Sequence, residues 1–236
     1  MMVSNNMGCG WLLSDLANIP KNGLNVVTTF SCGGGSSMGY KRAGFDVVLA
    51  NDIDPQMAWH YQENLHPKHY ILAPIKELVS HIPHDIKKSI DVLDGSPPCS
   101  TFSISGQREK TWGKLKVFRE GQAKQVLSDL FFDFLDVAKE LRPKVIIAEN
   151  VKGLIIGNAK GYCKLIMARF REIGYKTQLF LLDAADCGVP QHRRRVFFCG
   201  VRDDLKRQPL KIQTLAKHIG VEEACADIVH TEEDLA

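Results

Sequence analysis

The chain has 236 residues, 44% of them hydrophobic, and 30 Lys+Arg against 27 Asp+Glu, an ordinary globular composition with a net charge of +3. Residues 222–236 hold six of the acids and no Lys or Arg, so the first 221 residues carry 30 basic against 21 acidic side chains, or +9, a body able to meet a polyanion. No apolar run approaches the ~18 residues that cross a bilayer, the start lacks a secretory signal, and the seven cysteines are scattered without a C-x-x-C pair, so a cytoplasmic protein with reduced thiols and no metal site is expected.

Apolar β-rich runs alternate with helix-period segments along most of the chain, which predicts a mostly parallel sheet with helices on both faces. The predicted strands are 24–30, 46–51, 70–72, 90–95, 145–150, 176–182 and 196–201, the run at 70–72 being the shortest. Helices are predicted over 55–64, where Asp54-Pro55 supplies a cap and a proline at the first position, over 129–141, stopped by Arg142-Pro143, and over 160–173, closed by Gly174. Residues 101–124 have no clean period and read as a mobile loop after the fourth strand.

Four motifs carry chemistry. The turn leaving the first strand is Phe30-Ser31-Cys32-Gly33-Gly34-Gly35, whose glycines allow a ligand to approach the backbone, although such a turn can also serve only to reverse the chain. The ligand reading of this first motif is strengthened by Asp52, 22 residues after Phe30, which follows the second strand in Asn51-Asp52-Ile53-Asp54, where an acid reaches ribose hydroxyls. The glycine spacing is not G-x-G-x-x-G and no Walker lysine follows, which favours an adenosyl cofactor other than NAD or ATP. Asp94-Gly95-Ser96-Pro97-Pro98-Cys99-Ser100 ends the fourth strand, where open α/β sheets place their sites, and its prolines hold Cys99 in a rigid loop. Glu149-Asn150-Val151 closes the fifth strand with a partly desolvated carboxyl able to donate a proton. Gln191, Arg193 and Arg195 alternate ahead of the last strand and face one way if that strand has begun.

Taken in this order, F-S-C-G-G-G, N-D-I-D, G-S-P-P-C-S, E-N-V and Q-H-R-R-R resemble the cytosine-C5 DNA methyltransferases that use S-adenosyl-L-methionine and release S-adenosyl-L-homocysteine. The resemblance covers roughly residues 24–202 and implies a Rossmann-like class I methyltransferase fold. It implies an N-terminal extension at 1–23, a catalytic domain at 24–202, and a linker or the beginning of a recognition region at 203–236. It makes Cys99 the nucleophile that adds to C6 of a flipped-out cytosine, Glu149 the group at N3 and the exocyclic amine, and Arg193 and Arg195 the motif arginines, with Arg195 at O2. Phe30, Ser31, Cys32, Gly33, Gly34 and Gly35 would cradle the methionine part of the cofactor. Asp52 would take the ribose diol and Ile53 an adenine face, with Ile75, Pro98 and Leu130 completing the walls.

Several positions depart from the family pattern. Cys32 stands where glycine is usual, Thr28 near where an acid is common, 73–75 lacks an aspartate, and Cys187 replaces a frequent tyrosine. Nothing after Arg202 matches the target-recognition half, which leaves a fragment of a longer chain, a half-enzyme completed by a second polypeptide, or a degenerate relic. The presence of Cys99, Glu149, Gln191, Arg193 and Arg195 favours the first two. The expected partner is double-stranded DNA, in a restriction-modification setting. The alternatives are a tRNA cytosine-C5 methyltransferase and a non-catalytic subunit. The excess of Lys and Arg at 108–124 suits contact with nucleic-acid phosphates.

Overall fold

The computed structural model describes residues 12–98, 130–157, 159–215 and 217–226, together with the backbone at 115–116 and 125–126. The strands are β1 (Asn25–Thr29), β2 (Asp46–Asp52), β3 (Tyr70–Leu72), β4 (Val92–Gly95), β5 (Leu115–Lys116), β6 (Gln125–Val126), β7 (Val145–Val151), β8 (Tyr175–Asp183) and β9 (Arg194–Arg202). All seven predicted strands are present and form one sheet in the order β3-β2-β1-β4-β7-β9-β8. From β3 to β7 every neighbouring pair is parallel, whereas β9 runs antiparallel to both β7 and β8. The short pair β5–β6 is separate, and the remainder of the predicted mobile loop at 101–124 lies outside the described residues.

Burial explains the strand pattern. β1, β2 and β4 sit inside the sheet and are buried along almost their whole length, so their sequences do not alternate: β2 holds the apolar run Val47–Ala50, while β1 and β4 bury Thr28, Thr29 and Asp94 beside their valines and leucine. Successive side chains still divide between two layers. Val27, Leu49, Leu93 and Ile146 join the larger core with α3 (Leu78–His81), α5 (Leu130–Leu141) and α6 (Ala159–Glu172). Val26, Val47 and Val92 face the opposite side, which is covered by α1 (Gly35–Arg42) and α2 (Pro55–Leu65). Helices α4 (His84–Lys87) and α7 (Val221–Ala224) are single turns.

The helix boundaries follow from local chemistry. Asp54 accepts hydrogen bonds from the Gln56 and Met57 amides, with Pro55 at the first helical position, so α2 begins where its own backbone donors lack partners. Helix α5 buries Leu130, Phe131, Phe134, Leu135, Val137, Ala138 and Leu141 on one stripe, and Arg142 leaves it in a left-handed conformation (φ 47°) before Pro143. At Gly95 an added Cβ would lie 2.5 Å from Thr29 Oγ1 and 2.6 Å from a Phe134 ring carbon, so only glycine lets α5 approach this end of β4.

Residues after β9 do more than extend away from the domain. Gln178 on β8 exchanges two hydrogen bonds with the Leu210 backbone (2.6 and 3.2 Å), and the Leu215 amide donates to the Asp186 carbonyl at 2.7 Å. These contacts hold the segment against the Gln178 side chain of the outer strand and against the turn that follows that strand. Among the described residues, no helix is long and apolar enough to cross a membrane, and no cluster of His, Cys, Asp or Glu could hold a metal ion.

Candidate active site

The carboxyl ends of β1, β2, β3, β4 and β7 lie along one edge of the sheet, and the antiparallel direction of β9 brings its first residues to the same edge. Three of the four predicted motifs leave strands there directly. The fourth arrives by the reversal, since Val151 at the end of β7 pairs with Arg195 at the start of β9.

The glycine-rich turn is held in an uncommon conformation. Phe30 (φ 52°) and Cys32 (φ 45°) both occupy the left-handed region, at a cost of roughly 1–2 kcal/mol for each non-glycine residue. The Ser31 amide donates to the Asn51 carbonyl at 3.0 Å, and the Cys32 amide donates to Asp52 Oδ2 at 2.8 Å, so the turn is tied to the end of β2. Gly34 (φ 89°) caps α1, and a Cβ there would collide with Leu65, which makes it a packing glycine. Gly33 and Gly35 face open space, with nothing within 4 Å of an added Cβ, and present an unobstructed backbone.

Asp52 accepts from the Cys32, Ile53 and Asp54 amides, the last two at 2.7 and 3.0 Å. A carboxylate has about four lone-pair sites, so one remains for an incoming hydroxyl. Open glycine backbone beside a carboxylate with one spare accepting site fits a nucleoside that donates a sugar hydroxyl to Asp52. Asn51 fixes the neighbouring segment by donating to the Ile71 and Ala73 carbonyls at 2.8 and 2.9 Å. Ile53 is partly exposed on this edge and Pro98 is exposed. Ile75 and Leu130, by contrast, are 3% and 2% exposed and belong to the core beneath it.

On the other side of β4, Glu149 Oε1 lies 2.9 Å from Arg195 Nε, an ion pair whose side chains are 28% and 24% exposed. Glu149 pairs in register with Phe197, so Arg195 is its diagonal neighbour on the same face of the β7–β9 ladder. Gln191 and Arg193 precede the strand, which begins at Arg194, so the expected alternation does not extend to them. The Arg193 amide donates to Asp183 Oδ1 at 3.0 Å while its side chain is exposed. Cys187 is exposed in the short helical turn after β8.

Cys99 lies outside the described residues, but the loop leading to it is anchored by a residue whose role the sequence did not disclose. Asn150, 4% exposed, donates from Nδ2 to the Pro97 carbonyl at 3.1 Å, while its Oδ1 accepts from the Val151 amide. Replacement by alanine leaves a buried carbonyl without its donor, at a cost of about 1–3 kcal/mol. Asn150→Ala is therefore expected to lower the urea midpoint with an unchanged slope and to weaken reactions that depend on the 97–99 loop; urea titration of both proteins checks this.

A family model described as C-5 cytosine-specific DNA methylase matches residues 24–234. Type II methyltransferase M.FnuDI of Fusobacterium nucleatum is 34% identical over 182 residues, covering 77% of this chain and 48% of the relative. Type II methyltransferase M.DdeI of Desulfomicrobium norvegicum is 33% identical over 219 residues, covering 87% of this chain and 48% of the relative. The chain thus spans about half the length of these curated relatives. Among solved structures it resembles one described as a DNA modification methyltransferase encoded within an Escherichia coli prophage, with 26% identity, TM-score 0.66, and coverage of 86% of this chain and 54% of that one. It also resembles a Spodoptera frugiperda DNMT2 variant, with 26% identity, TM-score 0.59, and coverage of 84% and 57%.

Proposed function

The chain belongs to the C-5 cytosine-specific DNA methylase family, and from that membership we propose that it carries the cofactor-binding and catalytic half of an enzyme that methylates C5 of cytosine in double-stranded DNA. The observation that carries the reading is the Glu149–Arg195 pair, placed at the same edge as the loop that Asn150 anchors ahead of Cys99. The methyl donor in this reading is S-adenosyl-L-methionine, which supplies an electrophilic methyl group. Phe30 to Gly35 would bind its methionine part, Asp52 its ribose and Ile53 its adenine, with Ile75, Pro98 and Leu130 supporting the pocket. Recognition of the target sequence is assigned to a second polypeptide or to a continuation of this one.

Each protein group has a chemical task. C5 of cytosine is a weak nucleophile because attack from it disrupts the aromatic ring. The Cys99 thiolate forms a bond to C6, and the electron pair of the C5–C6 double bond moves toward the ring carbonyl and N3, which makes C5 enamine-like. Glu149 holds N3 and the exocyclic amine as that charge develops, and Arg195 both orients Glu149 and donates to O2. Once C5 carries the methyl group, loss of its proton to a base or water returns the electron pair to the ring and breaks the C6–S bond. The base must first leave the duplex, at a cost of a few kcal/mol, and the basic loop at 101–124 is proposed to hold the phosphates meanwhile.

The test is transfer of labelled methyl groups from S-adenosyl-L-methionine to duplex DNA and, in parallel, to tRNA. Label on cytosine C5 of the duplex is expected. Label on tRNA alone would overturn the DNA reading.

A further inference from the structure

Among the buried carboxylates that the proposed mechanism leaves unused, one ties two motif-bearing elements together. Asp94, 5% exposed at the end of β4, accepts hydrogen bonds from three side-chain hydroxyls: Ser36 Oγ at 2.7 Å, Tyr40 at 3.1 Å and Thr28 Oγ1 at 3.4 Å. Ser36 and Tyr40 lie one turn apart on α1, and Thr28 is the residue opposite Asp94 in the β1–β4 ladder. Its own carbonyl accepts from Thr29 Oγ1 at 3.0 Å. The strand that leads into the 97–99 loop is thereby fastened to the helix that the glycine-rich turn begins.

We propose that Asp94 is a positioning residue for the cofactor turn: by gripping α1 through Ser36 and Tyr40, its carboxylate sets where the backbone of 33–35 meets the methyl donor. The geometry that supports this is directional. Gly34 is the residue before α1, its carbonyl accepts from the Met38 amide at 2.9 Å, and Ser36 stands two residues further on. Moving the first turn of α1 therefore moves the open glycine backbone with it. A carboxylate suits the task because hydrogen bonds to an ionised acceptor are roughly twice as strong as neutral ones.

Holding a carboxylate here works against the stability of the fold. Burial pushes its pKa from 3.8 up to about 6, opposed by the hydrogen bonds from Ser36, Tyr40 and Thr28 and reinforced by the charge of Glu149. Folding accordingly takes up a proton between those two pH values, and the stability this contributes is lost as pH rises through about 6. A neutral isostere should therefore be tolerated, or favoured, at pH 7.5. The other titratable groups facing this cluster are Tyr40 on α1, Glu149 on β7, Tyr61 on α2 and Cys199 on β9. Desolvation raises Tyr40, Tyr61 to about 12 and Cys199 to about 11, so the phenols and the thiol stay protonated in the range tested.

The inference rests on the reading of the turn as a cofactor site, and the experiment separates the two. Binding of S-adenosyl-L-homocysteine to the full chain is measured by calorimetry between pH 5 and pH 7.5 for the unsubstituted protein, Asp94→Asn and Ser36→Ala, with urea midpoints for each. Asp94→Asn is expected to weaken binding about tenfold at pH 7.5, the scale of losing a hydrogen bond to a charged group, without lowering the urea midpoint. Ser36→Ala, a change at an exposed residue, is expected to weaken it about threefold, on the same basis. Affinity of the unsubstituted chain should fall as pH drops through about 6, while Asp94→Asn stays level. Unchanged affinity in both variants, the same pH dependence in Asp94→Asn, or a loss of affinity matched by a loss of stability would overturn the proposal. Absence of binding by the unsubstituted chain would instead overturn the cofactor reading on which it rests.

Discussion

Cys99→Ser is expected to abolish covalent capture of a 5-fluorocytosine duplex and to lower methyl transfer by more than about 10³-fold, the scale seen when a nucleophile is removed. Fluorine at C5 cannot leave as a cation, so once the thiolate has added and the methyl group has arrived, the C6–S bond persists and a denaturing gel reads the adduct. A serine hydroxyl is far less acidic than a thiol and is not delivered as an anion near neutral pH. Placing the fluorinated base opposite a mismatch lowers the cost of flipping it, which favours capture by a chain that spans half its relatives' length. An adduct that forms equally well with Cys99→Ser would remove this cysteine from the mechanism. S-Adenosyl-L-homocysteine affinity should be unchanged in the variant, which separates loss of the nucleophile from loss of the cofactor site.

The second large effect is expected at Glu149. Glu149→Gln keeps the side chain's size and removes the charge proposed to face N3, and methyl transfer should fall by about 10²–10⁴-fold, the usual range for a positioned acid–base group. Stability should change far less than the rate, because the glutamine carbonyl can still accept from Arg195 and the pair stays in partial contact with water. The disproportion is the signature of a reacting group. A rate loss below tenfold, measured by single-turnover methylation of a fixed duplex, would move Glu149 out of contact with the base.

The seven strands were legible because the central ones are buried on both faces and so are rich in Val, Leu and Thr without alternation, Val47–Ala50 in β2 being the clearest run. The helix ends were equally plain at Asp54-Pro55 and Arg142-Pro143, where capping and proline chemistry act over a few residues. Strand direction was less accessible. An apolar run looks the same whichever way it points, so the antiparallel entry of β9, and with it the separation of Arg195 from Gln191 and Arg193, required the ladder. Site residues with distinctive chemistry stood out in the same way, whereas the residues that hold them did not. Asn150 is one letter beside Glu149, and Asp94 is one acid at a strand end. Their tasks depend on Pro97, Ser36 and Tyr40, partners 53, 58 and 54 residues away in the sequence. Cys99 is a reading from sequence, as is the basic segment 101–124 apart from the backbone at 115–116.

The place of β9 also bears on the order in which the site edge of the sheet can be completed. Strand β9 follows both β7 and β8 in the sequence yet lies between them in the sheet rather than at its rim, so neither of those two strands has its β9 ladder until residue 202 has been made. The glycine-rich turn and Asp52 can take shape around β1, β2 and β4 well before then. The Glu149–Arg195 contact cannot, because its second member travels on the closing strand. Insertion of β9 therefore closes the sheet and forms the Glu149–Arg195 contact together.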